Sequence, residues 1–172
     1  MSLAGEVDRA DISFTGSTYH YAFDLKVDAP FEAVRKVITD YDHLERINDS
    51  VIRSEVIERY DERRLRRRLW LNQCVLVFCF NLYFMEDVES FDDGSIVTTV
   101  VPDGSNFRRG VSTWRIEKIS DDETRIKVEA EQEPSFWIPP VIGPLVFKRT
   151  FIKEVRKTAA NIEREARNVE FQ

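Results

Sequence analysis

Pro139-Pro140-Val141-Ile142-Gly143-Pro144-Leu145-Val146-Phe147 opens the last long segment of this chain, and from Leu145 to about Arg167 neither Gly nor Pro occurs. Within it Ile142, Leu145, Ile152, Val155, Ala159, Ile162 and Ala166 recur at helical spacings. That periodicity predicts a long amphipathic helix over about residues 141–167. Pro144 suits its first turn, and Lys148, Arg149, Lys153, Arg156 and Lys157 occupy much of the opposite face. The apolar stripe is tapered. Val146, Phe147 and Phe151 widen its first half, whereas Ala159, Ala160 and Ala166 narrow its second, so something large is expected against the first half.

Everything upstream reads as a sheet for this helix to cover. Residues 1–16 carry few large apolar side chains and are expected to be a poorly ordered lead-in, leaving 17–172 as a single domain. From Thr18 to Val27, Tyr19, Tyr21, Phe23, Leu25 and Val27 alternate with more polar residues, as in a half-buried strand. Asp28-Ala29-Pro30 offers a capping carboxylate for a short helix through Phe31, Val34, Val37 and Ile38, and Tyr41–Asp49 suits a second helical turn or two. Six more strands follow, at Val51–Arg59, Arg64–Val75, Leu76–Glu89, Ser95–Val101, Arg109–Ile119 and Thr124–Gln132. The separators are short and polar, so neighbouring strands must be antiparallel. The predicted class is α+β: a seven-stranded antiparallel curved sheet with two short helices after strand 1, wrapped around the C-terminal helix. A helix about 10–12 Å wide cannot fill such a concavity. Either bulky side chains fill it or a cavity remains.

Composition removes several functions. A net charge of −6 argues against nucleic acid as a partner, because neutralising phosphates needs a surplus of Lys and Arg. The run Arg63-Arg64-Leu65-Arg66-Arg67-Arg68 is read as a solvated strand face, with Arg67 the odd residue, sharing a face with Leu65 and Leu69. It is expected to pair with a carboxylate or to reach the cavity rim. No apolar run approaches the roughly 20 residues of a membrane helix, although transient membrane contact stays open. His20 and His43 are isolated, so no metal is expected, and no cofactor is called for. Cys74 and Cys79 are expected on opposite faces of one strand, unbonded and buried. A cytoplasmic location is expected, with the periplasm as the alternative if a signal peptide has been removed ahead of Met1.

The order of elements over residues 17–167 resembles the helix-grip fold of the START-like (SRPBCC) superfamily. The residues that carry the resemblance are Val27-Asp28-Ala29-Pro30-Phe31-Glu32-Ala33-Val34, Asp40-Tyr41-Asp42 and Gly110-Val111-Ser112-Thr113-Trp114-Arg115-Ile116. Pro139–Pro144 leading into the helix is similar to the bacterial polyketide-cyclase and coenzyme-Q-binding branch. The resemblance implies a cavity for a hydrophobic ligand between sheet and helix, and it covers both carriers and enzymes.

Aromatic residues cluster in the central strands and at the helix entrance. Trp70, Phe78, Phe80, Tyr83, Trp114, Phe136, Trp137, Phe147 and Phe151 are the candidate ligand-binding residues, their alternative role being ordinary core. Pro134–Pro140, with Phe136 and Trp137 among three prolines, is the expected mouth, its aromatics acting either as a gate or as a cap on the core. No catalytic residue is singled out, although Tyr83, Asn72, Gln73, Arg108 or His43 could polarise a ketone. Three functions fit: carriage or sequestration of a lipid, quinone or polyketide; a polyketide cyclase or aromatase; and a protein–protein interaction module with a filled cavity. The carrier is preferred. Oligomeric state is not legible.

Overall fold

The computed structural model describes residues 5–139 and 141–170, so the first four residues of the expected lead-in, and Pro140 of the expected mouth, lie outside the described residues. The chain folds as β1 (Glu6–Thr15), β2 (Thr18–Val27), α1 (Phe31–Ile38), a 3-10 turn (Leu44–Arg46), β3 (Val51–Arg59), β4 (Arg64–Val75), β5 (Phe78–Ser90), β6 (Ile96–Val100), β7 (Phe107–Lys118), β8 (Thr124–Pro134) and α2 (Pro144–Glu170). All eight strands form one antiparallel sheet in the order β1-β2-β8-β7-β6-β5-β4-β3, with α2 against its concave face, the helix-grip arrangement.

The sheet has one strand more than the periodicity suggested. Glu6–Thr15, expected as a lead-in, pairs with β2 from Thr15↔Thr18 to Glu6↔Lys26. Gly16, at a φ of 61°, makes the tight turn between them. Main-chain pairing holds this edge strand more than burial does. Val7 and Ala10 pack on the core and Phe14 reaches the Tyr19 and Phe147 rings, whereas most of the intervening residues are exposed, which leaves a faint hydrophobic signal.

The second expected helix is only the 3-10 turn, which suffices to bury Leu44 while Ile47 is buried just after it. Asp28 does not cap α1, whose N-cap is Pro30 with no side-chain bond. Instead the Asp28 amide donates to Glu163 Oε2 of α2 at 3.2 Å, and its carbonyl accepts from Arg167 Nε at 3.2 Å. The residue ties α2 to the end of β2.

Cys74 and Cys79 also depart from expectation, since they form a disulfide. Leu76-Val77 is a two-residue turn rather than the start of a strand, which folds β4 onto β5 and sets Cys74 directly opposite Cys79 with a Cα separation of 4.0 Å. Close approach of side chains across an antiparallel pair makes such a bond feasible. Leu76 takes a φ of 56°, which is uncommon for a residue with a Cβ, so nothing in its chemistry announced the turn.

The taper of α2 controls how it sits. Ala159, Ile162 and Ala166 are wholly buried, and a Cβ added to Gly5 would fall 2.6 Å from that of Ala159, so backbone approaches backbone here. Polar ties reinforce this half: Asn161 Nδ2 donates to Asp49 Oδ1 at 2.8 Å, and Glu163 accepts from the Gly5 amide at 2.9 Å. In the first half Phe147 and Phe151 meet the Tyr19, Tyr21 and Phe23 rings at centroid distances of 5.4–6.0 Å. These rings prop the helix off the sheet. Ile162→Ala should therefore lower the unfolding free energy by about 2–5 kcal/mol, and Leu145→Ala, at an exposed position of the same helix, by less than about 0.5 kcal/mol; urea titration of the two variants measures both.

Candidate ligand cavity

Where α2 is held away from the sheet, a cavity of about 300 Å³ remains. Strand alternation decides its walls. Tyr19, Tyr21 and Phe23 of β2 point inward, as do Ser112 and Trp114 of β7, and they face Phe147 and Phe151 of α2. Phe23 meets Trp114 edge to face at 6.1 Å and Phe151 at 6.0 Å, so this wall is a continuous aromatic surface. Leu69, Leu71 and Val75 of β4, with Leu82 and Phe84 of β5, add to the apolar lining.

One part of the lining is charged. Arg67 donates through Nε and Nη2 to Glu86 Oε2 at 2.9 and 2.8 Å, and the two side chains are only 10% and 6% exposed. Thr98 Oγ1 lies 3.5 Å from Glu86 Oε1 and 2.6 Å from Ser112 Oγ, which carries the polar network from β4 across β5 and β6 to β7. The Tyr41 ring sits beneath the Arg67 guanidinium at 5.1 Å. Burial, and secondarily the Glu86 carboxylate, pushes the Tyr21 hydroxyl far above its ordinary range; burial does the same to Tyr19. Both phenols hold their protons at any physiological pH. Along one side the lining is polar but uncharged in the main: Asn48, Ser50 and Gln73 on the sheet side, and Thr150, Glu154 and Thr158 on successive turns of α2. Ser50 donates to Gln73 Oε1 at 2.9 Å.

The expected ligand-binding residues divide into three groups. Trp114, Phe147 and Phe151 line the cavity. Phe80 and Phe136 form a cluster with Phe107, Phe136 lying 5.6 Å from Phe80 and 5.8 Å from Phe107, at the β4–β5 hairpin end, where Phe78 opposes Val75; Phe107 stacks at 4.2 Å on the back of the cavity-lining Phe84. Trp70, Tyr83 and Trp137 lie outside: Trp70 is on the outer face beneath Arg53 and Arg68 at 4.9 and 5.6 Å, and Tyr83 and Trp137 are 43% and 73% exposed. Of the polar candidates only Gln73 lines the cavity; Arg108 pairs with Glu133, His43 with Asp40, and Asn72 with Asn81 on the surface. Tyr19, Tyr21, Phe23, Glu86, Thr98 and Ser112 were not marked by the sequence as a site. The alternation in β2 was visible, but it marks burial without distinguishing core from cavity.

A larger depression of about 640 Å³ lies over β1, β2, β7 and β8, with Arg9, Asp11, His20, Glu129 and Glu131 among its walls. It is open, and Arg9 pairs with Asp11 and His20 with Glu131 at its exposed surface, so it offers no apolar enclosure. The cavity between sheet and helix, less open and lined mainly by apolar side chains, is the better ligand site. Among the described residues no group of three or more His, Cys, Asp or Glu side chains could hold a metal ion.

The Arg67–Glu86 pair gives a stability test. Replacing Glu86 alone by Leu strands a buried guanidinium and should cost about 3–5 kcal/mol, whereas the double replacement Arg67→Met with Glu86→Leu should recover most of that loss. Denaturant titration of the single and double variants measures the difference.

Comparison with known proteins agrees with this architecture. No curated protein matches the chain. Among solved structures, a START superfamily protein from Mycobacterium smegmatis is similar at 18% identity and a TM-score of 0.68, covering 87% of this chain and 98% of its own. The ZhuI aromatase/cyclase from Streptomyces sp. R1128 is similar at 12% identity and a TM-score of 0.60, covering 88% and 93%. A STAR-related lipid transfer protein from Xanthomonas axonopodis is similar at 16% identity and a TM-score of 0.61, covering 90% and 99%. At these identities the likeness is one of fold, which is START-like. The model of the family described as polyketide cyclase / dehydrase and lipid transport matches residues 20–167, nearly the whole sheet and helix, and the chain belongs to that family.

Proposed function

We propose that this protein binds and carries a small, mainly apolar molecule that has one polar end. The observation that carries this reading is the buried Arg67–Glu86 pair in the wall of an otherwise aromatic cavity. Nε and Nη2 of Arg67 are taken by Glu86, and Nη1 makes no hydrogen bond among the described residues, so it is free to donate to a ligand carbonyl or carboxylate. The aromatic wall of Phe23, Trp114 and Phe151 then accepts a ring or short chain. A volume of about 300 Å³ is at the lower end for ligand sites and favours a quinone head, a fatty acid or a small polyketide over a two-chain lipid. A cavity of that size also speaks against an interaction module with a filled interior.

Cyclase or aromatase chemistry is the second reading, supported by the convergence of Arg67, Glu86 and Tyr21 and by the fold shared with a Streptomyces aromatase/cyclase. Efficient proton transfer wants a pKa near the working pH. Tyr21 is moved the other way, which favours the carrier. The Cys74–Cys79 bond is consistent with an oxidising location, the periplasmic rather than the cytoplasmic alternative.

Native mass spectrometry of the purified protein should show a co-purified mass of a few hundred daltons, on the order expected for a cavity of this class. In titrations with a fluorescent fatty acid, Trp114→Ala should weaken binding about tenfold, roughly 1.4 kcal/mol. Trp70→Ala, on the outer face, should leave it unchanged. Equal loss for both, or no probe binding by the parent protein, would end the carrier reading; turnover of a poly-β-ketone surrogate abolished by Arg67→Lys would replace it with the cyclase.

A further inference from the structure

The end of the molecule formed by the β4–β5 hairpin, the loop after β8 and the start of α2 has a surface unlike the rest. Leu76 and Val77 at the hairpin tip are 66% and 87% exposed, and Trp137, Val141 and Leu145 are 73%, 66% and 63% exposed. The two regions adjoin, because Phe80 of the hairpin packs on Phe136, the neighbour of Trp137, at 5.6 Å. Their composition is equally distinct. Residues 70–85 contain no charged side chain, and residues 134–153 contain Lys148, Arg149 and Lys153 but none of the 31 acidic residues of the chain. All three cations are exposed, whereas Arg108 and Arg109 at the start of β7 are paired with Glu133.

An apolar projection flanked by cations, on a protein with a net charge of −6, is complementary to one kind of surface. We propose that this end docks on an anionic phospholipid bilayer, with Leu76, Val77 and Trp137 entering the interface while Lys148, Arg149 and Lys153 meet the headgroups. The hairpin is built to enter without being ordered first. β3 pairing stops at Leu71 and β6 pairing starts at Glu86, so from Cys74 to Cys79 the two strands pair in the sheet only with each other, while Asn106 braces β5 just below through the Asn81 carbonyl and the Tyr83 amide. An isolated two-stranded hairpin is marginal in water. Here the Cys74–Cys79 bond clamps it, Val75 anchors it inward, and Phe80 fixes it to the Phe136 loop. The same Val75, with Phe147 behind Leu145, forms cavity wall, so docking would bring the cavity beside the membrane from which an apolar molecule is drawn. That purpose rests on the carrier reading. Docking itself rests on the surface and is measurable on protein without ligand.

Flotation with vesicles of phosphatidylcholine alone, and of phosphatidylcholine with roughly one part in three of phosphatidylglycerol, is the test. The parent protein should float with the anionic vesicles and much less with the neutral ones, and added salt should weaken the association. Val77→Glu combined with Trp137→Glu should reduce anionic-vesicle binding at least tenfold, and Lys148→Glu combined with Arg149→Glu should reduce it comparably. Both variants should keep the parent melting temperature and the parent affinity for the fatty-acid probe in solution. Absence of flotation with the anionic vesicles overturns the proposal, as does flotation that the substitutions leave unchanged. A concentration-dependent dimer dissolved by Val77→Glu, with no vesicle binding, also overturns it and makes a second copy the partner. Loss of probe binding with flotation intact would sink the carrier reading alone.

Discussion

One steric constraint governs the molecule: α2 must lie across an eight-stranded curved sheet with a face that is thin at one end and thick at the other. Ala159 and Ala166 let the C-terminal half approach as closely as main chain allows, to the point where Gly5 has no room for a Cβ. Phe147 and Phe151 stand the other half off against the β2 rings. A uniform Leu face would spread contact evenly along the helix, whereas a wedge concentrates packing at one end and space at the other. Dense packing in the alanine half is what allows the phenylalanine half to stay under-filled, because cavities cost stability in proportion to their volume.

The Arg67–Glu86 pair follows from the same geometry. A paired charge deep in an apolar wall gains little net stability, since desolvation offsets most of the attraction. It is tolerable here because Thr98 and Ser112 extend the network, and because the cavity beside it is not packed hydrocarbon. Apolar residues of similar volume at both positions would serve folding as well. A polar patch that folding does not require, set in the wall of the space left by the wedge, has its rationale in what enters that space.

Legibility in the sequence followed from how much each feature depended on local pattern. Sequence alternation marks the strands Thr18–Val27, Val51–Arg59 and Arg64–Val75 to their observed bounds, because half-buried alternation is a strong local signal. The wedge was visible as the shift from phenylalanine to alanine along α2. Arg67 stood out by parity, sharing a face with Leu65 and Leu69. The same parity puts Trp70 outside; aromatic residues are densest over 70–84, whereas the cavity forms on whichever strands face the bulky half of the helix. That depends on sheet order, which brings β2 next to β8 and is not written in any one segment. Glu86 was hidden among the acids of residues 86–89, and its role exists only because Arg67 is its register partner.

β1 and the disulfide show a different limit. An edge strand is held by main-chain bonds that any residue can make, so its side chains need carry little pattern. The Cys74–Cys79 bond depends on Leu76-Val77 being a turn, although a turn with a positive φ ordinarily asks for Gly or Asn. Leu76 there breaks the local rule twice, in backbone conformation and in exposure. The same end holds the exposed Val77, Trp137, Val141 and Leu145, so the departures from folding logic are grouped rather than scattered. Departures that folding does not reward are expected where another requirement acts on the sequence. Their grouping beside the open half of the wedge ties that requirement to the cavity and its surroundings.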